Sequence, residues 1–190
     1  MTFLNKILDC LNKILDWLFG YNPSFYDVVR RYAISCHKRV NQKYDGKPYK
    51  VHLEMVYNYA VKYIKNLPVE LQLIALISAW CHDLIEDTGQ TYNEVKTVCG
   101  IEIAEVVYAL SNEKGKNRKE RANDKYYNGI KNNLVANYVK ICDRLANAKY
   151  SKDHNSKMFG AYVREYSEFK KQLYRTEFDL LFVELEEILK

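Results

Sequence analysis

The sequence predicts an all-α fold, and three features favour that class. Proline and glycine are scarce, with 3 and 7 copies, whereas Lys, Glu, Leu, Ile and Tyr are abundant. Apolar residues recur at helical spacing, and no stretch of useful length alternates between apolar and polar as a half-buried strand would. The 190 residues are 48% apolar, which suits one domain with a substantial core. We therefore expect a single helical domain over residues 23–190, preceded by an amphipathic helix over residues 1–22.

Charge and cysteine usage narrow the class of protein. The formal net charge of +5 fits an anionic ligand but is too small to argue for nucleic-acid binding. The 5 cysteines form no CxxC pair and leave one over, so we expect reduced thiols in a cytoplasmic protein. No segment is long and apolar enough to span a bilayer, and the N-terminal apolar segment lacks a signal-peptide cleavage site.

The predicted N-terminal helix contains a near duplication of seven residues, LNKILDC followed by LNKILDW. Its apolar residues form one stripe at heptad spacing: Leu4, Ile7, Leu8, Leu11, Ile14, Leu15 and Leu18. Two heptads are too few for a self-sufficient coiled coil. Three interpretations stay open: packing on the chain's own domain, self-association through residues 4–18, and attachment to a membrane surface.

Turn and cap signals divide the remaining chain into helices. Asn22-Pro23 separates the first helix from a second over about residues 24–42. The segment Asp45-Gly46-Lys47-Pro48 predicts a turn, and Pro48 opens a third helix that ends near Pro68. Further helices are expected over residues 69–87, 91–99, 101–110 and 134–150, and the region 159–190 is expected to form one helix or two.

The central element is the stretch 71–87, which is apolar on nearly every side as far as Cys81. It then carries four polar residues: His82, Asp83, Glu86 and Asp87. Carboxylates at the end of a buried helix are costly to desolvate unless something positive neutralises them. Because no Lys or Arg lies between residues 65 and 96, a bound cation is the simplest local remedy.

A cation at this place needs ligands from elsewhere in the chain. On a helix, His82 and Glu86 lie one turn apart, as do Asp83 and Asp87, so the two pairs form adjoining edges. Imidazole and carboxylate are ordinary ligands for Mn, Fe and Zn. The candidates for the missing ligands are His37, His52, His154 and Asp143.

The stretch 111–133 is the most polar part of the chain, and two interpretations of it are open. Its cations are Lys114, Lys116, Arg118, Lys119, Arg121, Lys125 and Lys131. They indicate either a solvated loop or a loop that reaches phosphate oxygens.

Three segments carry a resemblance to a known family. They are DGKPYKVH over residues 45–52, HDLIEDT over 82–88 and KICDRLAN over 140–147. Their types and order resemble the HD superfamily of metal-dependent phosphohydrolases, and in particular the SpoT/Rel-type and small alarmone hydrolases. The resemblance covers roughly residues 25–175 and leaves residues 1–22 outside it.

The resemblance implies an HD-type helical bundle that hydrolyses the 3′-diphosphate of guanosine tetraphosphate (ppGpp), guanosine pentaphosphate or a similar alarmone of the stringent response. It implies a divalent metal, with manganese expected, held by His52, His82, Asp83 and Asp143. It also implies that Glu86 and Asp87 serve the attacking water, and that the substrate is contacted by Lys43, Asn147 and Tyr166. Two alternatives stay open: an HD phosphohydrolase for another phosphorylated nucleotide, and a non-catalytic nucleotide-binding module.

The chain departs from the family pattern at two positions. Leu53 follows the first motif histidine, where the family often has proline. Gln42 precedes Lys43, where the family commonly has an arginine that helps to hold the nucleotide. The second departure bears on the preference for guanine and leaves the metal site unchanged.

Overall fold

The computed structural model describes residues 23–111 and 115–190. Within those ranges the chain is helical apart from one pair of very short strands, so the all-α prediction is confirmed. The predicted N-terminal helix and its self-association through residues 4–18 lie outside the described residues, as does Lys114.

The elements follow one another along the chain with short connections. The first part comprises α1 (Pro23–Arg39), β1 (Lys43–Tyr44), β2 (Lys47–Pro48), α2 (Lys50–Lys62), α3 (Val69–Cys81), α4 (Leu84–Thr88), α5 (Tyr92–Cys99) and α6 (Ile101–Leu110). The second part comprises α7 (Arg118–Arg121), α8 (Asp124–Lys131), α9 (Leu134–Asp153), α10 (Met158–Leu173) and α11 (Asp179–Leu189). Single 3₁₀ turns precede α3 and α11, at Ile64–Asn66 and Thr176–Phe178.

The predicted helix over residues 69–87 is interrupted, which corrects the sequence-based expectation. Helix α3 ends at Cys81, and α4 begins at Leu84 because Asp83 leaves the helical region, with φ −100° and ψ 6°. The Asp87 N–H still donates to Asp83 O at 2.9 Å, so Asp83 serves as the N-terminal cap of α4. Gly89, in the left-handed region at φ 72°, ends α4. His82 keeps helical dihedral angles, with φ −55° and ψ −33°, so the break falls at Asp83.

The polar stretch 111–133, predicted to be a loop, contains helices that begin at asparagine caps. Helices α7, α8 and α9 begin after Asn117, Asn123 and Asn133, and each cap side chain accepts from the N–H three residues on. Such a cap stabilises a helix by about 1 kcal/mol. A capping box formed by Thr91 and Glu94 is also present at the start of α5. The polar stretch therefore contains two short helices.

Helix α9 is the centre of the domain. It packs against α2, α3, α6, α8, α10 and α11, and its buried residues lie on more than one face. Helix α3 is buried over all residues from Ala75 to Cys81, as its apolar sequence predicts. Helices α2, α3 and α9 contact one another. The C-terminal end of α3 and the middle of α9 therefore meet beside the start of α2. Among the helices described, none has both the length and the apolar character needed to cross a bilayer.

Candidate active site

The four side chains predicted as metal ligands converge at one point. The Nε2 atoms of His52 and His82 lie 3.2 Å apart. Asp83 Oδ2 lies 2.9 Å from His82 Nε2 and 3.7 Å from His52 Nε2. Asp143 Oδ1 lies 3.3 Å from His52 Nε2 and 3.9 Å from His82 Nε2. These four residues, which we call the His-Asp cluster, come from α2, the α3–α4 junction and α9.

The two histidines of the cluster are buried but are held differently. His52 is 1% exposed and His82 is 3% exposed. His82 Nδ1 donates to Ala79 O at 3.0 Å. Its Nε2 is therefore the nitrogen that can bind a proton or a metal beside the carboxylates. His52 Nδ1 is buried, and it has no hydrogen-bond partner within residues 23–111 and 115–190. Both Nε2 atoms face the carboxylate oxygens.

The electrostatics of the cluster favour a positive charge at its centre. Burial alone would lower the pKa of His82, but the carboxylates of Asp83 and Asp143 raise it to about 9. Burial opposes ionisation of Asp83, yet the adjacent His82 holds its pKa below the ordinary value. Two imidazole nitrogens and two carboxylate oxygens in a buried site form a donor set that fits a divalent metal such as Mn, Fe or Zn. The residues present therefore fit the metal that the motifs imply.

Asp143 is held by the residues one turn on either side of it. Lys140 Nζ donates to Asp143 Oδ2 at 3.0 Å, while Asn147 Nδ2 donates to Asp143 Oδ1. Desolvation would lower the pKa of Lys140, but the charge of Asp143 raises it well above its ordinary value. The sequence places Lys140 one turn before Asp143, which makes it a candidate ion-pair partner, and that pair is present.

Glu86 and Asp87, predicted to serve the attacking water, lie on α4 at the rim of the cluster. Both residues are exposed, in contrast to the buried histidines. Desolvation, followed by the charge of Asp83, raises the pKa of Asp87. Gln42 Nε2 donates to Asp87 Oδ2 at 2.6 Å, and the charge of Glu86 contributes to the raised pKa of Lys140. The two carboxylates therefore border the cluster on its solvent side.

The structure distributes the three predicted substrate contacts differently. Asn147 lies in the site, between Asp143 and the hydroxyl of Tyr44, which donates to Asn147 Oδ1 at 2.9 Å. Lys43 is exposed on β1, next to Tyr44. Tyr166 is not brought to the site, because its hydroxyl donates to Glu186 of α11. Tyr162, one turn earlier on α10, lies instead beside Asp143 and Asn147.

The two other histidines considered as ligands lie outside the cluster. His37 is buried, stacks on Tyr49 with ring centroids 4.5 Å apart, and shares a hydrogen bond with Gln42. His154 stacks on Tyr150 at 3.8 Å, beyond the end of α9. Tyr49 in turn donates to Asp83 Oδ2, so His37 supports the His-Asp cluster indirectly, through Tyr49.

A cavity of about 430 Å³ opens beside Asp143, between α7, α8, α9 and α10. Its cationic lining residues are Arg118, Arg121, Lys140, Arg144 and Arg164. Its aromatic lining residues are Tyr126, Tyr127, Tyr162 and Phe169. We call it the basic cavity. A volume of this size suits a small-molecule ligand, and the clustered cations suit an anionic one.

Two of the four arginines of the basic cavity, Arg118 and Arg144, are held in place by one carboxylate. Glu165 accepts from Arg118 through two bonds of 2.9 Å and from Arg144 through a third of 2.9 Å. Arg144 also lies over the rings of Tyr162, at 4.9 Å, and Phe169, at 4.5 Å. One carboxylate opposes two guanidinium groups, so this part of the basic cavity retains net positive charge for a ligand.

Two polar atoms of the cavity lining are left for such a ligand. Tyr126 is 5% exposed, and its hydroxyl has no hydrogen-bond partner among the described residues. Arg121 Nε is likewise buried without a partner in that part of the chain. Buried polar groups of this kind are rare in folded proteins, and a bound polar ligand satisfies them.

Comparison with known proteins places this geometry in context. No protein-family model matches the chain. A curated relative, the guanosine-3′,5′-bis(diphosphate) 3′-pyrophosphohydrolase MESH1 of Drosophila melanogaster, is 27% identical over 74 residues. That match covers 39% of this chain and 41% of the relative, so it spans about two fifths of the relative's length.

A solved structure is similar over most of its length. It is described as a metazoan ortholog of SpoT that hydrolyzes ppGpp and plays a role in starvation responses. The TM-score is 0.70 at 20% identity, and the match covers 88% of this chain and 95% of the other. The chain therefore has the fold of that SpoT ortholog, and the resemblance to SpoT/Rel-type hydrolases predicted from the three motifs is confirmed.

Proposed function

We propose that the protein is a metal-dependent phosphohydrolase that removes the 3′-diphosphate of a guanosine tetra- or pentaphosphate-like alarmone. The observation that carries this proposal is the convergence of the His-Asp cluster with the basic cavity at Asp143. The ppGpp-hydrolysing activities of the relative and of the SpoT ortholog support the same substrate class.

The His-Asp cluster would hold the metal, and we propose manganese, as the family resemblance implies. A bound divalent ion supplies a Lewis acid for a phosphoryl oxygen and lowers the pKa of a water molecule. The protein's part is to keep the four ligand atoms facing one another in a buried site. Tyr49, Asn147 and Lys140 do this by donating hydrogen bonds to the two aspartates.

The carboxylates at the rim of the cluster would act on the attacking water. Glu86 and Asp87 orient it, and Asp87, whose pKa is raised by desolvation, is suited to accept its proton. The water oxygen attacks the phosphorus bonded to the ribose O3′, and that P–O3′ bond breaks. The O3′ takes a proton, and pyrophosphate leaves. Lys140, beside Asp143, offsets negative charge that develops on the phosphate.

The basic cavity would hold the remaining phosphates of the substrate. Arg118 and Arg144 present guanidinium groups that match phosphate oxygens, and the free hydroxyl of Tyr126 adds a neutral donor. Asn147 and Lys43 stay proposed substrate contacts. Tyr162 replaces Tyr166 in the proposal because it lines the cavity.

The preference for guanine is the feature that favours a second candidate function. Gln42 stands where the family commonly has a nucleotide-holding arginine, and its amide is occupied by His37 and Asp87. An HD phosphohydrolase acting on another phosphorylated nucleotide is therefore the alternative. The metal chemistry would be the same, and the base would differ.

A substrate panel with manganese-loaded full-length protein tests the proposal. Release of pyrophosphate from ppGpp, lost in Asp83→Ala and retained in the exposed control Asp27→Asn, is the expected result. Orthophosphate release from plain nucleotides would instead favour the second candidate. Tight binding of nucleotides without turnover, across several divalent metals, would show a non-catalytic module.

We further propose that the protein acts in the cytoplasm on a nucleotide and not on a nucleic acid. The cysteines within the described residues, Cys36, Cys81, Cys99 and Cys142, are free and buried, which supports a reducing compartment. Self-association through residues 4–18 stays a prediction, and measuring the oligomeric state of the chain with and without those residues tests it.

A further inference from the structure

A two-residue β-hairpin closes over the His-Asp cluster. Strands β1 and β2 pair antiparallel, with Lys43 opposite Pro48 and Tyr44 opposite Lys47. The turn residues Asp45 and Gly46 have φ of 49° and 76°, which both lie in the left-handed region. A turn with positive φ at both central residues matches the twist of a tight hairpin, and Asp-Gly is a favoured pair for it. The turn therefore fixes the direction in which Tyr44 projects.

Tyr150 of α9 attaches this hairpin to the domain. Its hydroxyl donates to Asp45 Oδ2 at 2.9 Å and accepts from Lys47 Nζ at 3.3 Å. Its ring meets the ring of Tyr44 edge to face, with centroids 4.8 Å apart and planes at 68°. The hairpin is thus held by both of its strands and by its turn.

Tyr44 contacts the cluster in two independent ways. Its ring stacks on the imidazole of His52, with centroids 4.8 Å apart and planes at 16°. Its hydroxyl donates at 2.9 Å to Asn147 Oδ1, while Asn147 Nδ2 donates to Asp143 Oδ1. One side chain therefore touches the first histidine directly and the last aspartate through an amide.

The orientation of His52 requires such a restraint. Metal-binding histidines are usually oriented by a hydrogen bond at the second ring nitrogen, and loss of that bond typically weakens metal binding by about 10- to 100-fold. His82 has this bond, to Ala79 O, but the corresponding Nδ1 of His52 has no partner within the described residues. Two tyrosine rings contact His52: Tyr49 meets it at a tilt of 60° with centroids 5.3 Å apart, and Tyr44 is the one that stacks nearly parallel to it and so restrains the plane of its ring.

We propose that Tyr44 is a positioning residue for the metal site, acting on His52 through its ring and on Asp143 through its hydroxyl. The inference rests on the proposed function, because it takes the His-Asp cluster as a metal site. It adds a residue from outside the three motifs, and it divides the role of that residue between two separable groups.

Manganese binding, measured without substrate, tests the division. Metal-stripped full-length protein is titrated with Mn²⁺ by calorimetry, and the visible spectrum of bound Co²⁺ reports the ligand geometry. Tyr44→Leu removes both contacts and should weaken Mn²⁺ binding about tenfold. Tyr44→Phe keeps the stacked ring and loses the hydroxyl, which should weaken binding about threefold. Tyr44→Trp keeps a ring and should recover most of the loss seen with leucine.

The control is Tyr108→Leu, since Tyr108 is 62% exposed and contacts only the ring of Tyr92 among the aromatic pairs of the described chain. Its Mn²⁺ affinity and Co²⁺ spectrum should equal those of the wild type. Circular dichroism of each metal-free variant shows whether it is folded. If Tyr44→Leu does not fold, the comparison of phenylalanine and tryptophan with wild type still decides the question.

Equal Mn²⁺ affinity and an unchanged Co²⁺ spectrum in all folded Tyr44 variants would overturn the inference. Failure of the proposed function has a different signature. In that case the wild type binds Mn²⁺ and loses affinity on Tyr44 substitution, yet hydrolyses no 3′-diphosphate. A wild-type chain that binds no divalent metal would overturn both.

Discussion

The amide of Gln42 donates to Asp87 Oδ2 at 2.6 Å, and its oxygen accepts from the Nδ1 of His37. The two bonds fix the orientation of the amide, because a carboxylate only accepts and a glutamine oxygen cannot donate. His37 is buried and stacked on Tyr49, so the chain of contacts begins in the core and ends at a rim carboxylate. Gln42 thus holds Asp87 in the place where the attacking water is proposed to lie.

Removing this bond should slow hydrolysis and shift its pH dependence. The hydrogen bond from Gln42 lowers the pKa of Asp87, opposing desolvation and Asp83, so Gln42→Leu should raise that pKa further. A base with a higher pKa becomes protonated at a higher pH. The acidic limb of the pH profile of kcat should therefore shift to higher pH. Because this bond is exposed to solvent, it contributes about 0.5–1.5 kcal/mol, so loss of the orientation that it gives Asp87 should lower kcat near neutrality by about two- to tenfold.

The matched control is Gln72→Leu, because Gln72 donates to Leu67 O at the opposite end of α3. It should leave the pH–rate profile in place. A Gln42→Leu profile that overlays the wild type would contradict the role assigned to Gln42 and weaken the assignment of Asp87 as the base.

The stability of the metal-free protein should depend on the charge of His82. Its folded pKa of about 9 exceeds the ordinary 6.5, so protonated His82 stabilises the fold fully below pH 6.5. That stabilisation is lost as the pH rises through about 9. The difference in pKa corresponds to roughly 3 kcal/mol at most. Urea unfolding with a chelator should therefore show a lower midpoint at pH 9.5 than at pH 6.5.

The loss of stability at high pH should depend on the buried His82. His82→Gln should flatten the difference between the two pH values, whereas His154→Gln, at the end of α9, should not. Saturating Mn²⁺ should reverse the trend, because metal binding displaces the His82 proton and becomes tighter as the pH rises. Equal midpoints at both pH values in chelated wild type would contradict the prediction.

The basic cavity should act on the phosphates that are not cleaved. Arg118→Gln removes one of the two guanidinium groups held by Glu165, and we expect the KM for ppGpp to rise about tenfold. The kcat should change less, because Arg118 lies outside the His-Asp cluster. A guanosine 3′-diphosphate that lacks the 5′-diphosphate should show a much smaller change in KM.

Arg175→Gln is the control for this charge change, since Arg175 is partly exposed and pairs with Glu177 at 2.8 Å near the start of α11. It should leave both KM values within a factor of about two. Equal effects of Arg118→Gln on the two substrates would place the 5′-diphosphate elsewhere.

The four residues predicted as metal ligands could be chosen from the sequence because each lies in a short local pattern. His82 and Asp83 follow a run that is apolar on nearly every side, and His52 and Asp143 stand at fixed places in their own motifs. The break at Asp83 was not predictable, because the sequence carries no glycine or proline there. The cause lies in side-chain contacts. The Asp83 carboxylate pairs with the imidazole of His82 and accepts a hydrogen bond from Tyr49.

The basic cavity depends on packing and was only partly visible. Its cations Arg118 and Arg121 lay in a stretch that composition alone could not distinguish from a solvated loop. The asparagine caps of α7, α8 and α9 were the local signal that was missed. Even with them, the sequence does not say that α10 brings Glu165 between Arg118 and Arg144.

Tyr162 and Tyr166 provide the last test, because they are one turn apart on α10 and only one faces the site. The rotation of α10 is set by Phe169 and Leu173, which are buried in the core. Tyr162→Leu should raise the KM for ppGpp several-fold, since it removes the ring beneath Arg144. Tyr166→Phe should leave KM unchanged and lower the free energy of unfolding by about 1 kcal/mol, through loss of its bond to Glu186. Steady-state kinetics and urea unfolding of the two variants measure both quantities. The opposite pattern, with KM raised by Tyr166→Phe alone, would mean that α10 is rotated in the working enzyme.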